Sequence, residues 1–133
     1  MKLRRSAWIH TGSLSKTLLP GLRAGGVMTA TRLSDKAVVR LVKSTAEAVG
    51  DGYWFVERAA AYAGEREVFG RPIGANQGVQ FPLADAYMRV RAADLMRYEA
   101  AWLFDAGEPC GAEANMAKLL AADASWEAAN VAM

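Results

Sequence analysis

The chain has 133 residues, 53% hydrophobic and 23% charged, with a net charge of +2. This is one globular domain's worth of sequence, and it excludes a disordered chain, which needs low hydrophobicity and a large net charge. One cysteine, Cys110, excludes an internal disulfide framework and a cysteine-based zinc cluster, and the single histidine, His10, weakens any metal or Ser-His-Asp site.

Residues 1–45 carry nine basic side chains and one acid, Asp35; residues 46–133 carry seven basic and thirteen acidic ones. Gly12, Pro20, Gly21, Gly25 and Gly26 break any periodicity before Asp35. Residues 1–34 are therefore predicted to be a basic, irregular leader. Three roles remain open for it: a poorly ordered or non-homologous tail, an organellar transit peptide, or a phosphate-seeking arm. The expected location is cytoplasmic, or the mitochondrial matrix if the leader is a transit peptide.

Residues 35–133 are predicted to be all-α, an antiparallel bundle of three long segments. Ala37, Val38, Leu41 and Val42 sit at helical spacing behind a Ser34 or Asp35 cap. A pause is expected at Gly50-Asp51-Gly52, followed by more helix from Tyr53 through Phe69, with Phe55, Val56, Ala59, Ala60, Ala63 and Val68 as its apolar positions. The glycines and proline of FGRPIGANQG predict a loop. A second helix is expected over about 76–106, striped by Val79, Leu83, Ala86, Tyr87, Val90, Ala93, Ala100, Leu103 and Phe104, with Pro82 kinking it or setting its start. A third helix is expected from Ala112 to the end, its small-residue seam made by Ala117, Leu120, Ala121, Ala124, Ala128 and Val131. The chain stops without a C-cap signal, so a truncated domain is expected, self-associating or poorly soluble through the Val79–Phe104 stripe and the Ala117–Val131 seam.

Chemistry concentrates in Glu65-Arg66-Glu67-Val68-Phe69-Gly70-Arg71-Pro72-Ile73 and Gln77. Arg66 can fork onto phosphate oxygens, and the helix opening at Gln77 favours negative charge. Phe69 can lie against a flat ring, and Gln77 can donate and accept at a sugar or phosphate. The plainer alternative is a surface arginine and a phenylalanine closing a bundle turn. The order ERxxFGxPIxxxQ, then Leu83-Ala84-Asp85, then Ala117-Lys118 with Ala121 and Asp123, resembles the C-terminal helical domain of the flavin-dependent acyl-CoA dehydrogenases over roughly residues 50–133.

That resemblance implies three helices of a four-helix bundle, FAD as cofactor, an acyl-CoA substrate, a homo-oligomer (dimer or tetramer) and an electron-transfer flavoprotein as electron acceptor. It further implies that Arg66, Phe69 and Gln77 contact the FAD of the neighbouring subunit around its pyrophosphate and adenosine end. The chain ends before the family's QxxGGxG stretch and its usual catalytic glutamate. Asp35–Lys43, where one subgroup places its base, has no glutamate. No catalytic residue and no metal ligand is assigned, and the chain alone is expected to be inactive.

Two readings from other classes stand beside this one: a non-catalytic helical interaction module, and a nucleic-acid binder using residues 2–43. Aromatic residues interleave too sparsely with basic ones for a nucleic-acid platform, so no nucleic-acid or membrane partner is expected. Trp8, Trp54, Trp102 and Trp126 are assigned to core or packing positions, and Cys110 to a bystander thiol in a turn. Arg89, Arg91 and Arg97 with Asp85, Asp94 and Glu99 read as a solvated helix face.

Overall fold

A computed structural model describes residues 33–133. Residues 1–32, including His10, Trp8 and nearly all of the basic leader, lie outside the described residues. The order is α1 (Asp35–Glu65), β1 (Glu67–Val68), β2 (Arg71–Pro72), a 3-10 turn (Ile73–Ala75), α2 (Gln77–Asp105) and α3 (Gly111–Ala132). Ser34 caps α1 as expected, its hydroxyl accepting from the Ala37 N–H.

The three helices run up, down and up. Val38 near the start of α1 shares a cluster with Leu103 at the end of α2 and Ala114 at the start of α3. A second cluster at mid-bundle joins Val49 and Val56 to Ala86, Val90 and Ala93, and to Ala121, Ala124 and Ala128. Helix α3 packs on both other helices more extensively than they pack on each other. Its buried alanines at 114, 117, 121, 124 and 128 recur at alternating steps of three and four, the spacing of a helix–helix seam. Leu120, assigned to that seam from sequence, is instead exposed, and Ala114 takes a place in it. With methyl-sized side chains in the seam, the helices approach closely and a leucine has no room.

The expected pause at Gly50–Gly52 does not occur; α1 is continuous through it. Gly52 is buried, and a Cβ there would lie 2.7 Å from Val90 Cγ2 and 3.6 Å from the Ser125 Cα. The glycine marks a close approach of α1 to both other helices, so it serves packing and not chain reversal. Pro82 neither starts nor ends α2, which begins five residues earlier. Its missing N–H orphans the Gly78 carbonyl, and both residues are exposed, where water can serve that group.

Trp54, Trp102 and Trp126 are not core residues: they are 56%, 62% and 73% exposed. The alanine seam is too narrow to admit an indole. Cys110, assigned to a turn, is buried directly before α3 and packs with Leu103 and Ala114. Asp94, assigned to a solvated face, is buried as well. It accepts from Arg97 Nη2 at 2.7 Å and Nε at 2.9 Å, from Arg91 Nη1 at 3.4 Å and from the Tyr53 hydroxyl at 3.5 Å. Four donors offset the desolvation of one carboxylate. Arg89 fits the solvated reading, with exposed ion pairs to Asp85 at 2.7 Å and Glu127 at 3.1 Å.

Candidate functional site

The turn between α1 and α2 folds into a two-residue hairpin. Val68 pairs with Arg71 and Glu67 with Pro72, leaving Phe69 and Gly70 at the tip. Both tip residues have positive φ, 54° for Phe69 and 75° for Gly70, the pattern of a type I′ turn. Such a turn favours Asn, Asp or Gly at its first tip position. A phenylalanine there meets a steric penalty of order 1–3 kcal/mol. Its ring is fully exposed, so no contact within the described chain offsets that cost.

The hairpin is tied to the bundle from below. The Ile73 N–H donates to the Arg66 carbonyl at 2.8 Å, and the Arg66 N–H donates to the Tyr62 carbonyl at 2.8 Å. Gly74 rests on the last turn of α1, where an added Cβ would meet the Ala63 carbonyl oxygen at 2.9 Å. Arg71 donates from Nη2 to Asn76 Oδ1 at 2.9 Å, and Asn76 Nδ2 donates to the Ile73 carbonyl at 3.1 Å. These ties hold the base of the turn while its tip projects.

Arg66 caps α1 with an extended backbone, and Gln77 is the first residue of α2. Both side chains are exposed, and neither is engaged in a hydrogen bond or ion pair among the described residues. The Asn76 side chain is occupied by Arg71 and Ile73 and does not cap α2. The structure thus brings Arg66, Phe69 and Gln77 to one end of the bundle, on one tethered turn, without contact to one another. An unpaired guanidinium, an exposed ring and a helix start without a side-chain cap suit a ligand with an anion and a flat ring. Beside them an open apolar groove of about 310 Å³ runs between Ala60, Gly64, Gly74, Val79 and Leu83.

The strain at Phe69 had no sequence signal, because the sign of φ is not visible in composition. Its only hint was the following Gly70, a common second residue of this turn type. Among the described residues no group of three or more His, Cys, Asp or Glu side chains could hold a metal, and no helix is long and apolar enough to cross a membrane.

Residues 37–133 match the model of the acyl-CoA dehydrogenase C-terminal domain. The chain is 49% identical over 84 residues to an acyl-CoA dehydrogenase of Bacillus subtilis, covering 63% of this chain and 22% of that protein. It is 44% identical over 94 residues to acyl-CoA dehydrogenase FadE12 of Mycobacterium tuberculosis, covering 69% of this chain and 24% of that one. A solved chain described under the electron transferring flavoprotein of Acidaminococcus fermentans superposes with a TM-score of 0.68 at 36% identity, covering 69% of this chain and 24% of its own length. The chain therefore spans about a quarter of the length of these relatives. A three-helix antiparallel fold and a family match over most of its length lead to one conclusion: this chain belongs to the acyl-CoA dehydrogenase family, through that family's C-terminal helical domain.

Proposed function

We propose that the turn carrying Arg66, Phe69 and Gln77 is an FAD-contacting surface of a flavin-dependent acyl-CoA dehydrogenase. The whole enzyme would remove hydrogens from the α and β carbons of an acyl-CoA thioester and pass electrons to an electron-transfer flavoprotein. It would work as a homo-oligomer in which this turn meets the flavin of a neighbouring subunit. Bound FAD would supply the hydride acceptor. The side chains of this chain would bind and orient it: Arg66 on pyrophosphate oxygens, Phe69 against a ring, Gln77 at a sugar or phosphate.

The observation that carries this reading is Phe69. It is fully exposed, in the left-handed region, on a turn anchored at both ends. Strain of that kind persists where the surroundings fix it, and it clusters at ligand clamps. No residue is offered as the catalytic base, since proton abstraction needs a positioned carboxylate and none of the acids here is assigned that role. The 133-residue chain mixed with FAD and an acyl-CoA should therefore leave the flavin oxidised.

The test replaces the matching segment of a full-length relative with residues 35–133 and compares Arg66→Lys and Arg66→Ala with the parent chimera. Helix content should hold, because Arg66 is exposed and lies just past the end of α1 in extended backbone. FAD affinity should fall by about 1.5–3 kcal/mol for Ala, the worth of a charged hydrogen bond, and by less for Lys. Equal retention by all three would reduce Arg66 to a surface charge.

A further inference from the structure

Asn76 occupies the position from which a side chain caps α2, with the extended backbone of an N-cap (φ −91°, ψ 130°). Asparagine is among the residues best suited to that task, accepting from the N–H two or three residues on. Here it does not perform it. Its Oδ1 accepts from Arg71 Nη2 at 2.9 Å, and its Nδ2 donates to the Ile73 carbonyl at 3.1 Å. That carbonyl also accepts the Asn76 backbone N–H at 3.0 Å. The Val79 N–H donates to the Asn76 carbonyl at 2.9 Å, while the Gly78 N–H, which a capping side chain would serve, has no acceptor among the described residues.

The two side-chain bonds fix which way the amide faces. With its oxygen and nitrogen exchanged, the NH2 would face a guanidinium and the oxygen a carbonyl, two repulsive contacts in place of two hydrogen bonds. Arg71 therefore competes with the start of α2 for one acceptor, and wins. Arg71 directly follows the Phe69-Gly70 tip and pairs with Val68 across the hairpin. Asn76 directly precedes Gln77. The Arg71–Asn76 bond thus joins the hairpin tip to the residue that leads into Gln77.

We propose that Arg71 is a positioning residue for the FAD-contacting turn and acts through Asn76. It turns the Asn76 side chain away from the end of α2 and so holds Phe69 and Gln77 in fixed relation. The inference rests on the FAD reading given above and adds to it a residue outside the three offered as contacts. A ligand that meets Phe69 and Gln77 at once finds them already ordered, which lowers the entropy lost on binding. The exchange is close to neutral for the fold. One exposed capping bond is given up and one exposed arginine–amide bond is made, so removing Arg71 costs binding and leaves stability in place.

Two measurements test this. The first needs no flavin: amide hydrogen exchange by NMR on the full 133-residue chain, with urea unfolding beside it. In Arg71→Ala the Asn76 side chain is free to cap, and exchange at the Gly78 N–H should slow about three- to tenfold, the worth of one ordinary hydrogen bond. Adding Asn76→Ala should restore the parent rate. The urea midpoint of Arg71→Ala should be unchanged or higher. A merely structural tie predicts the reverse, a lower midpoint with no slowing at Gly78, and that result would overturn the proposal.

The second is FAD affinity in the full-length chimera, for Arg71→Ala, Asn76→Ala, the double variant and Arg71→Lys, with Arg66→Ala as reference. Each alanine variant should bind about three- to tenfold more weakly, and the double no more weakly than the worse single, because the pair acts as one unit. Arg71→Lys should recover part of the loss, since an ammonium can still reach Oδ1. Weakening by Arg71→Ala with parent affinity in Asn76→Ala would mean that Arg71 does not act through Asn76, and would overturn the proposal. Losses that simply add in the double variant would do the same. Parent affinity in both single variants beside a weakened Arg66→Ala would overturn the proposal and leave the FAD reading standing. Parent affinity in Arg66→Ala as well would remove both.

Discussion

The mid-bundle core and the hairpin at its end are built on opposite terms. In the core, residues around Gly52, Val90 and Ala121–Ala128 are small, tightly approached and matched to their neighbours. In the hairpin, Phe69 sits in a strained conformation with its ring in solvent, and Arg66 and Gln77 are exposed without side-chain partners among the described residues. Every feature of the first region is explained by contacts inside the chain. In the second, no contact among the described residues offsets the strain at Phe69. Self-satisfied packing reads as stability, and unsatisfied strain on a tethered turn reads as binding.

If that contrast is right, substitutions in the core should change stability alone, and the largest effect should come at its one buried charge. Asp94→Ala leaves the half-buried Arg97 without its carboxylate and should destabilise the fold by about 3–5 kcal/mol, as breaking a buried ion pair does. Urea unfolding measures this. A loss below about 1 kcal/mol would mean that the Asp94 cluster behaves as a surface pair.

Glycines give the next test, because three of them lie in one helix with different surroundings. Gly52→Ala would force its Cβ against Val90, and overpacking of about 1–3 kcal/mol should exceed the helix-propensity gain of up to about 1 kcal/mol. Gly50→Ala and Gly64→Ala meet nothing within 4 Å and should each stabilise by about 0.5–1 kcal/mol. Thermal unfolding of the three variants should therefore split in sign.

A smaller effect is expected at Cys110. Burial, with lesser contributions from the Glu113 and Asp35 charges, raises its thiol pKa above the ordinary value. The folded state thus favours the neutral thiol. That contribution is fully present below the ordinary thiol pKa and is lost as pH rises through the raised one. Cys110→Ala should flatten the alkaline fall in stability, and native Cys110 should alkylate more slowly at pH 8 than the unfolded chain does.

Periodicity made the bundle legible in the sequence: Val38, Val56, Val90 and Ala121 declare their faces by spacing. The turn was legible only in part: Gly70, Pro72 and Gly74 exclude a helix beyond Phe69, but the helix expected through Val68 and Phe69 stops at Glu65, because Val68 pairs with Arg71 in the hairpin. What stayed hidden depended on partners far along the chain. Gly52 looked like a breaker because its neighbour Val90 lies 38 residues on. Asp94 looked solvated because Tyr53, 41 residues away, completes its cluster. The tryptophans looked like core residues on hydrophobicity alone, and only the width of the alanine seam moves them outside. At the candidate site the residue types of Arg66, Phe69 and Gln77 were readable, but the positive φ of Phe69 was not.

That angle also supplies the most direct test of the central claim, that the hairpin tip trades stability for binding. In the chimera with residues 35–133, Phe69→Gly removes the ring and the backbone penalty together. Unfolding free energy and FAD retention should be measured on the same preparation. The account predicts a protein more stable by about 1 kcal/mol that holds FAD at least tenfold less tightly. A variant that keeps FAD as tightly as its parent, whatever its stability, would contradict it.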